Sequence, residues 1–468
     1  MNYVTNKNWL SAAAILLILL LFPLAHHWII VYRPVVGVYY QQTSFIVYLS
    51  DVAVVLLLLV EGVWGGVNKE PSPISTVHLP AEGVVTPPHP DENERQTHHP
   101  GRVVLVPLAL LMGLILFSVV GARDEALTLY LGVRWLGLFL LVGAVRRLRP
   151  RPSWLVVGMA VTLVVQAIIA LAQFGLQNDL GWQALGEVEL GVTGLVSVIR
   201  VGETPYIRGY GLTPHPNILG GVLMALLFPI LMVFLQAGRR GRVLWLLILA
   251  VGVGGLLVSF SRSAWVGGVV GGAVLLVVLW RTPAWRRAYG RLVGLPVALA
   301  LGLMLLFIAL RPDLFLARLR PSASYTETRS LSERDTLAAL AWQMIDIHPL
   351  SGLGAGGFAP AIAAHTSELT NVRPQPVHMI PLLAAAEVGW LGGVLWVWLM
   401  IAPFWGMIQV WRRGRLTLWG LGLTASLLVL AVTDLFDYYS WGWAQGRLWR
   451  CLLWGLWLSE MESGEKGI

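Results

Sequence analysis

The chain of 468 residues is 56% hydrophobic and only 12% charged, with a formal net charge of +8. An ordinary soluble domain carries about 25% charged residues, so this composition excludes a water-soluble fold of this size. The apolar residues form long continuous runs, each close to the roughly 20 residues that cross a bilayer as a helix. Because lipid offers no partner to unpaired backbone groups, runs of this length can span only as helices. The sequence therefore predicts an all-α, polytopic membrane protein.

The apolar runs predict about twelve membrane helices. The first run has no small-residue cleavage site and is expected to be a retained helix instead of a signal peptide. The predicted spans are 10–31, 45–65, 103–121, 126–145, 154–176, 215–236, 243–260, 263–280, 293–310, 379–404, 417–435 and 443–459.

Basic residues are concentrated in four short loops at 146–151, 239–242, 281–291 and 412–415. All four loops follow even-numbered predicted helices, so they lie on one side of the membrane, which the positive-inside rule assigns to the cytoplasm. This pattern explains the positive charge without a nucleic-acid partner. It predicts a multi-pass protein of the cytoplasmic membrane with both termini inside.

The segments outside the predicted helices differ in character. Residues 61–102 are polar and rich in proline, which predicts a disordered cytoplasmic insert. Its histidines are more typical of a solvated linker than of a metal site. The longest extracytoplasmic stretch contains a predicted helix at 333–347 with Ser332 as its N-cap. The resulting organisation is 1–60 (helices one and two), 61–102 (insert), 103–310 (helices three to nine), 311–378 (extracytoplasmic catalytic loop) and 379–468 (helices ten to twelve and a cytoplasmic C-terminus).

Charged and polar residues at membrane depth are costly and therefore mark candidate sites. Arg262 lies between two apolar runs, where it either snorkels to lipid headgroups or clamps an anion such as phosphate. Arg208, His215 and Asn217 lie at or before the start of an apolar helix, where they either cap the helix or bind an anion. The helix is expected to open at Thr213 and Pro214.

Two further candidates lie on the long outer loop. Alone, Arg334 would be a solvated arginine, and His378, at the mouth of helix ten, would be structural. Histidine is nevertheless the usual general base near neutral pH. Three arginines and one histidine on one side of the membrane could form an outward-facing pocket for a pyrophosphate. No metal-ligand spacing accompanies them, so no metal and no cofactor are predicted.

Four motifs resemble the O-antigen ligase and polymerase superfamily of bacterial membrane glycosyltransferases. Their order and spacing over roughly 200–400 carry the likeness. Two positions depart from the family pattern: Met379 stands where an asparagine is usual, and Ala338 where a tryptophan is common. The motifs are GLTPHPNILG at 211–220, SRS at 261–263, the run from Arg334 to HPLSGLGAGGF at 348–358, and His378 followed by EVGWLGG at 387–393.

The resemblance implies an architecture of the C type of glycosyltransferases and a metal-independent, inverting transfer at the outer face of the membrane. The donor would be a glycan linked to polyprenyl pyrophosphate, bound by Arg262 and Arg334. His378 would activate the hydroxyl of the acceptor. The acceptor could be a glycolipid, as in a ligase, another glycan, as in a polymerase, or a protein. A transporter of lipid-linked glycans remains an alternative of another class.

Overall fold

The computed structural model describes residues 3–34, 43–65, 101–191, 196–319, 325–365 and 373–463. Within these ranges the chain is mainly helical. The first half contains α1 (Tyr3–Leu21), α2 (Leu49–Gly65), α3 (Arg102–Phe117), α4 (Glu125–Leu148), α5 (Pro152–Leu176), α6 (Pro216–Gln236), α7 (Arg239–Ser259) and α8 (Arg262–Arg281). The second half contains α9 (Pro283–Tyr289), α10 (Gly294–Leu310), α11 (Pro312–Leu319), α12 (Tyr325–Ile347), α13 (Phe358–His365), α14 (Ile380–Val388), α15 (Trp390–Arg412), α16 (Leu418–Thr433), α17 (Tyr439–Gly442) and α18 (Ala444–Ser463).

Two short antiparallel hairpins interrupt the helices. In one hairpin β1 (His27–Val31) pairs with β2 (Phe45–Tyr48). In the other β3 (Val198–Val201) pairs with β4 (Thr204–Ile207). A single 3₁₀ turn, Gln183–Leu185, precedes the second hairpin.

The mostly helical fold confirms the predicted class, but the number of spans is only partly supported. In the described residues six helices are long and apolar enough to cross a membrane, or seven if the bent pair α9 and α10 forms one span. Shorter apolar helices include α3 and α16. The count of about twelve spans, and the assignment of 311–378 to the extracytoplasmic side, stay predictions.

Helix ends that the basic loops assign to the cytoplasm meet at one end of the bundle, here called the basic face. Arg146, at the end of α4, forms an ion pair of 2.9 Å with Glu462, at the end of α18. Trp411, at the end of α15, donates to Thr282, which follows α8 (3.0 Å). The basic face is therefore defined by these four residues.

The connections between the other helix ends meet at the opposite end, here called the loop face. Arg33, after β1, pairs with Asp124, the N-cap of α4, at 2.5 Å. The N–H of Arg123 donates to the carbonyl of Leu353 (3.1 Å), and the N–H of Ala25 to that of Leu212 (3.2 Å). These contacts tie the long connections to one another over the bundle.

Four predicted elements need correction. The span 45–65 is a helix only from Leu49, because Phe45–Tyr48 is a strand. The span 10–31 is wrong beyond Leu21, because the helix ends there and His27–Val31 is a strand. The loop helix begins at Tyr325, so Ser332 lies inside α12 and is not its N-cap. The single span 379–404 is broken at Gly389, whose φ of +86° ends α14 before α15 begins. A Cβ at Gly389 would lie 2.2 Å from the Leu350 carbonyl oxygen, so this break requires glycine.

The polar insert lies outside the described residues from 66 to 100. Its two ends are helical, because α2 extends to Gly65 and α3 begins at Arg102.

Candidate active site

The segment that joins β4 to α6 is fixed at the loop face by two buried amides of α5. Gln173 Oε1 accepts from the N–H groups of Tyr210 (2.9 Å) and Gly211 (2.8 Å), and Gln166 Oε1 accepts from that of Leu212 (2.8 Å). Gly211 has φ of +60°, and a Cβ there would lie 2.4 Å from Gln166 Oε1. Only glycine lets the segment pass so close to α5. The segment thereby brings Arg208 and His215 to the start of α6.

His215 is the N-cap of α6. The helix therefore begins two residues later than the expected opening at Thr213 and Pro214. The ring Nδ1 accepts from the N–H of Asn217 at 3.1 Å, and Pro216 occupies the first helical position. Because Nδ1 is the acceptor, a neutral His215 carries its proton on Nε2. This nitrogen is thus available as a donor to a ligand.

A chain of hydrogen bonds runs from Arg208 to Asp437, which lies between α16 and α17. Arg208 Nη2 donates to Asn217 Oδ1 (2.7 Å), and Asn217 Nδ2 donates to Asp437 Oδ2 (2.9 Å). Arg208 is buried, and its Nε donates to the carbonyl of Ser259 (2.8 Å). Three separate parts of the chain are therefore locked together at this point.

His378 and Arg334 lie beside this chain of hydrogen bonds. Arg334 and His378 both act electrostatically on His215 and on Asp437. The His378 ring packs edge-on against Tyr438, with centroids 5.0 Å apart. The resulting group is called the histidine cluster here; its members are Arg208, His215, Asn217, Arg334, His378 and Asp437.

Two buried nitrogens of the histidine cluster have no hydrogen-bond partner among the described residues. They are Nδ1 of His378 and Nε of Arg334. No described carboxylate forms an ion pair with Arg334. Buried polar groups are normally satisfied, and exceptions often mark the place of a ligand or catalytic role. The cluster thus offers a base and a cation that each have one buried nitrogen not used by any described residue.

The ionisation of the cluster follows from its burial. Burial and the charge of Arg208 lower the pKa of His215 to about 3. Burial lowers the pKa of His378 to about 4, although Asp437 opposes the change. The pKa of Asp437 lies below its usual value: burial acts to raise it, but His378, His215, the hydrogen bond from Asn217 and Arg334 outweigh burial. At neutral pH both histidines are therefore uncharged and the carboxylate is ionised, which leaves an excess of positive charge.

Arg262 lies at the same end of the bundle, and its guanidinium contacts α11. It begins α8 after a turn of two residues, in which Phe260 has φ of +50°. Its Nη1 donates to the carbonyl of Arg318 on α11 (3.2 Å). Gly220 of α6 allows this turn to approach, since a Cβ there would lie 2.4 Å from Ser261 Cβ. Of the predicted residues, the structure groups Arg208, His215, Asn217, Arg334 and His378, whereas the Arg262 guanidinium contacts α11 instead.

Sequence reasoning missed Asp437 and the two amides of α5. Each is a polar residue within or next to an apolar run, so the cost of polarity at membrane depth was a usable signal. Glu387 is also a polar residue in an apolar run, but its contacts are structural. Its carboxylate accepts from the N–H of Gly356 (2.8 Å) and from Nε1 of Trp441 (2.7 Å). It anchors the glycine-rich segment that follows α12.

The described residues contain no group of three or more histidine, cysteine, aspartate or glutamate side chains arranged to hold a metal ion. The polar groups that converge at the loop face are two arginines, two neutral histidines, one amide and one carboxylate. Such a set can bind an anion and accept a proton.

The fold and the site define a multi-pass helical membrane protein with a buried basic cluster at one face. Residues 246–397 match the family model described as O-Antigen ligase. The match confirms the predicted resemblance to the O-antigen ligase superfamily over this segment of the chain. Arg262, Arg334 and His378 lie inside the matched segment, and the other cluster members lie outside it. No curated protein matches the chain.

Proposed function

We propose that this protein transfers a glycan from a polyprenyl-pyrophosphate carrier to a hydroxyl group of a lipid or core oligosaccharide. The observation that carries the proposal is a pair of buried nitrogens without a partner among the described residues, Nδ1 of His378 and Nε of Arg334, in two side chains that both act electrostatically on Asp437. Both residues belong to the segment that matches the O-antigen ligase family. A general base next to an unpaired cation is what glycosyl transfer from a pyrophosphate requires.

His378 is the proposed general base. Its imidazole is neutral at physiological pH because burial keeps its pKa low. As the acceptor oxygen attacks the anomeric carbon, His378 takes the hydroxyl proton, and the bond from that carbon to the pyrophosphate oxygen breaks. The leaving group departs with the electron pair, and attack from the opposite side inverts the anomeric configuration. The carboxylate of Asp437 stabilises the imidazolium that forms, because opposite charges favour the protonated ring.

The arginines are the proposed pyrophosphate site. A guanidinium matches phosphate oxygens in geometry and stays charged when buried. Arg334 has no ion-pair partner among the described residues, so its charge is available to the donor. Arg262, at the start of α8, lies at the same end of the bundle. Its side chain would rotate away from the Arg318 carbonyl to bind the pyrophosphate. Arg208, His215 and Asn217 support the site, with Nε2 of His215 as a donor to the substrate.

The loop face is proposed to face outward. The short basic loops lie at the other end of the bundle, which the positive-inside rule assigns to the cytoplasm. The histidine cluster would then open to the outer surface of the cytoplasmic membrane, where a lipid-linked glycan is presented. Neither a nucleotide nor a metal ion is part of this proposal.

The test is transfer by the purified protein from a polyprenyl-pyrophosphate-linked glycan, with EDTA present and without nucleotide. The expected result is release of polyprenyl pyrophosphate and a product whose mass identifies the acceptor. Addition of magnesium should leave the rate unchanged. Donor binding without turnover, for every class of acceptor offered, would reject the enzyme in favour of a transporter.

A further inference from the structure

A cavity with several polar lining residues lies at the loop face, beside α14. It has a volume of about 40 Å³ and lies between α4, β2, α18 and the glycine-rich segment after α12. Its polar lining comes from Tyr48, Tyr130, Arg134, Glu387, Trp441 and Arg447. A water needs a cavity of about 10–15 Å³, so this cavity is large enough for several waters or one small anionic group.

The charge of Arg134 is compensated. Its Nη2 contacts both carboxylate oxygens of Asp51, at 2.7 Å each, and its Nη1 donates to the hydroxyl of Tyr130 at 2.7 Å. The same Nη1 also donates to the carbonyl of Ile46 (2.5 Å). The contacts of Arg134 are therefore those of a structural ion pair.

The charge of Arg447 is not compensated in the same way. The residue is only 5% exposed. Its Nη1 donates to the carbonyls of Trp441 (2.7 Å) and Gly442 (3.5 Å), while Nε is buried without a partner among the described residues. Within the part of the chain that the structure describes, no carboxylate forms an ion pair with it. A buried guanidinium without a counter-ion is costly, so an anion is expected beside it.

The other carboxylate at the cavity does not provide that counter-ion. Glu387 is engaged by three donors: the N–H groups of Gly356 (2.8 Å) and Phe358 (3.4 Å) and Nε1 of Trp441 (2.7 Å). These contacts direct its oxygens towards the glycine-rich segment. Glu387 interacts electrostatically with Arg447 and reduces the positive potential of the cavity, but no ion pair joins the two side chains in the described structure.

We propose that this cavity is a subsite for an oxyanion, a phosphate or a carboxylate, held by Arg447. The further proposal that this subsite binds the acidic group of the acceptor rests on the proposed function. Pro376 lines the cavity and stands two residues before His378. Two residues span at most about 7 Å, so an acceptor anchored here by its acidic group can extend a hydroxyl around the start of α14 to the base.

A purely structural role for Arg447 is the competing explanation. Its bonds to the carbonyls at the end of α17 would hold the turn that precedes α18. That role needs only Nη1 and no ligand, and any side chain that donates there would serve. Binding measurements separate the two explanations, because only the proposed subsite makes an anion bind through this residue.

The experiment titrates the full-length protein, in nanodiscs of a zwitterionic lipid and at constant ionic strength, by calorimetry. The probes are inorganic phosphate, glucuronate and, as the neutral control, glucose. Wild type should bind phosphate or glucuronate but not glucose, and the stronger of the two anions identifies the source of the oxyanion. Arg447→Gln should bind at least about tenfold more weakly, as expected for loss of a charged hydrogen bond.

Arg33→Gln is the matched control, since Arg33 is a loop-face arginine whose side chain pairs with Asp124 and does not line the cavity; its binding should equal that of wild type. Arg447→Lys retains the charge and serves if Arg447→Gln does not fold; it should bind with intermediate affinity. Absence of anion binding by wild type, or equal binding by wild type and the Arg447 variants, overturns the subsite.

The titration contains no donor, so it stands apart from the test of glycosyl transfer. If the anion binds through Arg447 and no transfer occurs, only the proposed function fails. If transfer occurs and Arg447→Gln leaves the KM for an acidic acceptor unchanged, only the assignment of the subsite to the acceptor fails.

Discussion

Two clusters of buried charge meet at the connection from α16 to α17, where Asp434 and Asp437 stand three residues apart, and they differ in how the charge of their arginines is paired. In the first, Arg450 of α18 pairs with Asp434 at the end of α16, and both side chains are almost fully buried. Asp434 also accepts from Nε1 of Trp396 (3.0 Å), and the guanidinium lies 5.6 Å from the Trp396 ring centroid and 5.5 Å from that of Trp454. Nε of Arg450 and Oδ1 of Asp434 have no hydrogen-bond partner among the described residues, but the two opposite charges are in direct contact.

The histidine cluster reaches this connection through Asp437. In it no described carboxylate forms an ion pair with Arg334, and Nδ1 of His378 has no partner among the described residues. The contrast separates two uses of buried charge. A closed ion pair fixes how α16 meets α18, whereas an open cluster keeps donors and acceptors for a ligand. Substitutions should therefore affect stability in the first cluster and activity in the second.

The largest effect is expected from Arg450→Met. The change leaves Asp434 buried without its counter-charge, which costs about 3–5 kcal/mol of the free energy of unfolding. Thermal unfolding of the purified protein in detergent measures it.

The double variant Arg450→Met with Asp434→Asn is the control. It removes both charges and should recover part of the lost stability, because an uncharged pair has no comparable desolvation cost. If the single variant unfolds at the wild-type temperature, the ion pair does not have the structural role assigned to it.

His378→Ala should have the next largest effect, now on activity. Loss of a general base slows transfer by about 10²–10⁴-fold, while the unfolding temperature should stay near that of wild type because Nδ1 makes no bond in the described structure. The rate of product formation at saturating donor measures it. His348→Ala is matched to it, since His348 is an exposed histidine at the end of α12; equal losses in the two variants would contradict the role of His378.

Much of the fold follows from the apolar runs. The spans predicted at 154–176 and 215–236 differ from α5 and α6 by at most two residues at each end, because a run bounded by proline and polar residues fixes a membrane helix locally. The first span failed since His27–Val31 is equally apolar but pairs with a strand about 15 residues later. Hydropathy records burial in lipid or protein and does not distinguish a helix from a short hairpin.

The site was predictable where a residue carried its own signal. Arg334 and His378 stood out as charged or titratable groups next to apolar helices and in recognisable motifs. Asp437 did not, because its importance comes from a hydrogen bond to Asn217, 220 positions away in the chain. Such a contact depends on how α6 packs against α16, which no local pattern records. The orientation of Arg262 towards α11 was missed for the same reason.

A smaller loss is expected for Arg334→Gln. Removing one cation that stabilises the leaving group costs about 10²-fold in rate, comparable with loss of a single oxyanion donor. Arg334→Lys should recover part of the activity, since it retains the charge without the planar donor geometry. Arg311→Gln is the control at the same face, because Arg311 already pairs with Asp313 at 3.0 Å. A wild-type rate in Arg334→Gln would exclude this residue from the pyrophosphate site.

The smallest effect is expected when pH is changed. A base acts in its neutral form, so activity is lost as pH falls through its pKa, and burial places that pKa near 4 in His378 instead of 6.5. The kcat/KM for donor reports the ionisation of the free enzyme. It should change by less than about twofold between pH 8 and pH 6, because a group with this pKa is already deprotonated throughout that range. If kcat/KM falls to half of its maximum near pH 6.5, the base titrates like a solvent-exposed histidine. The histidine cluster would then not lower the pKa of His378.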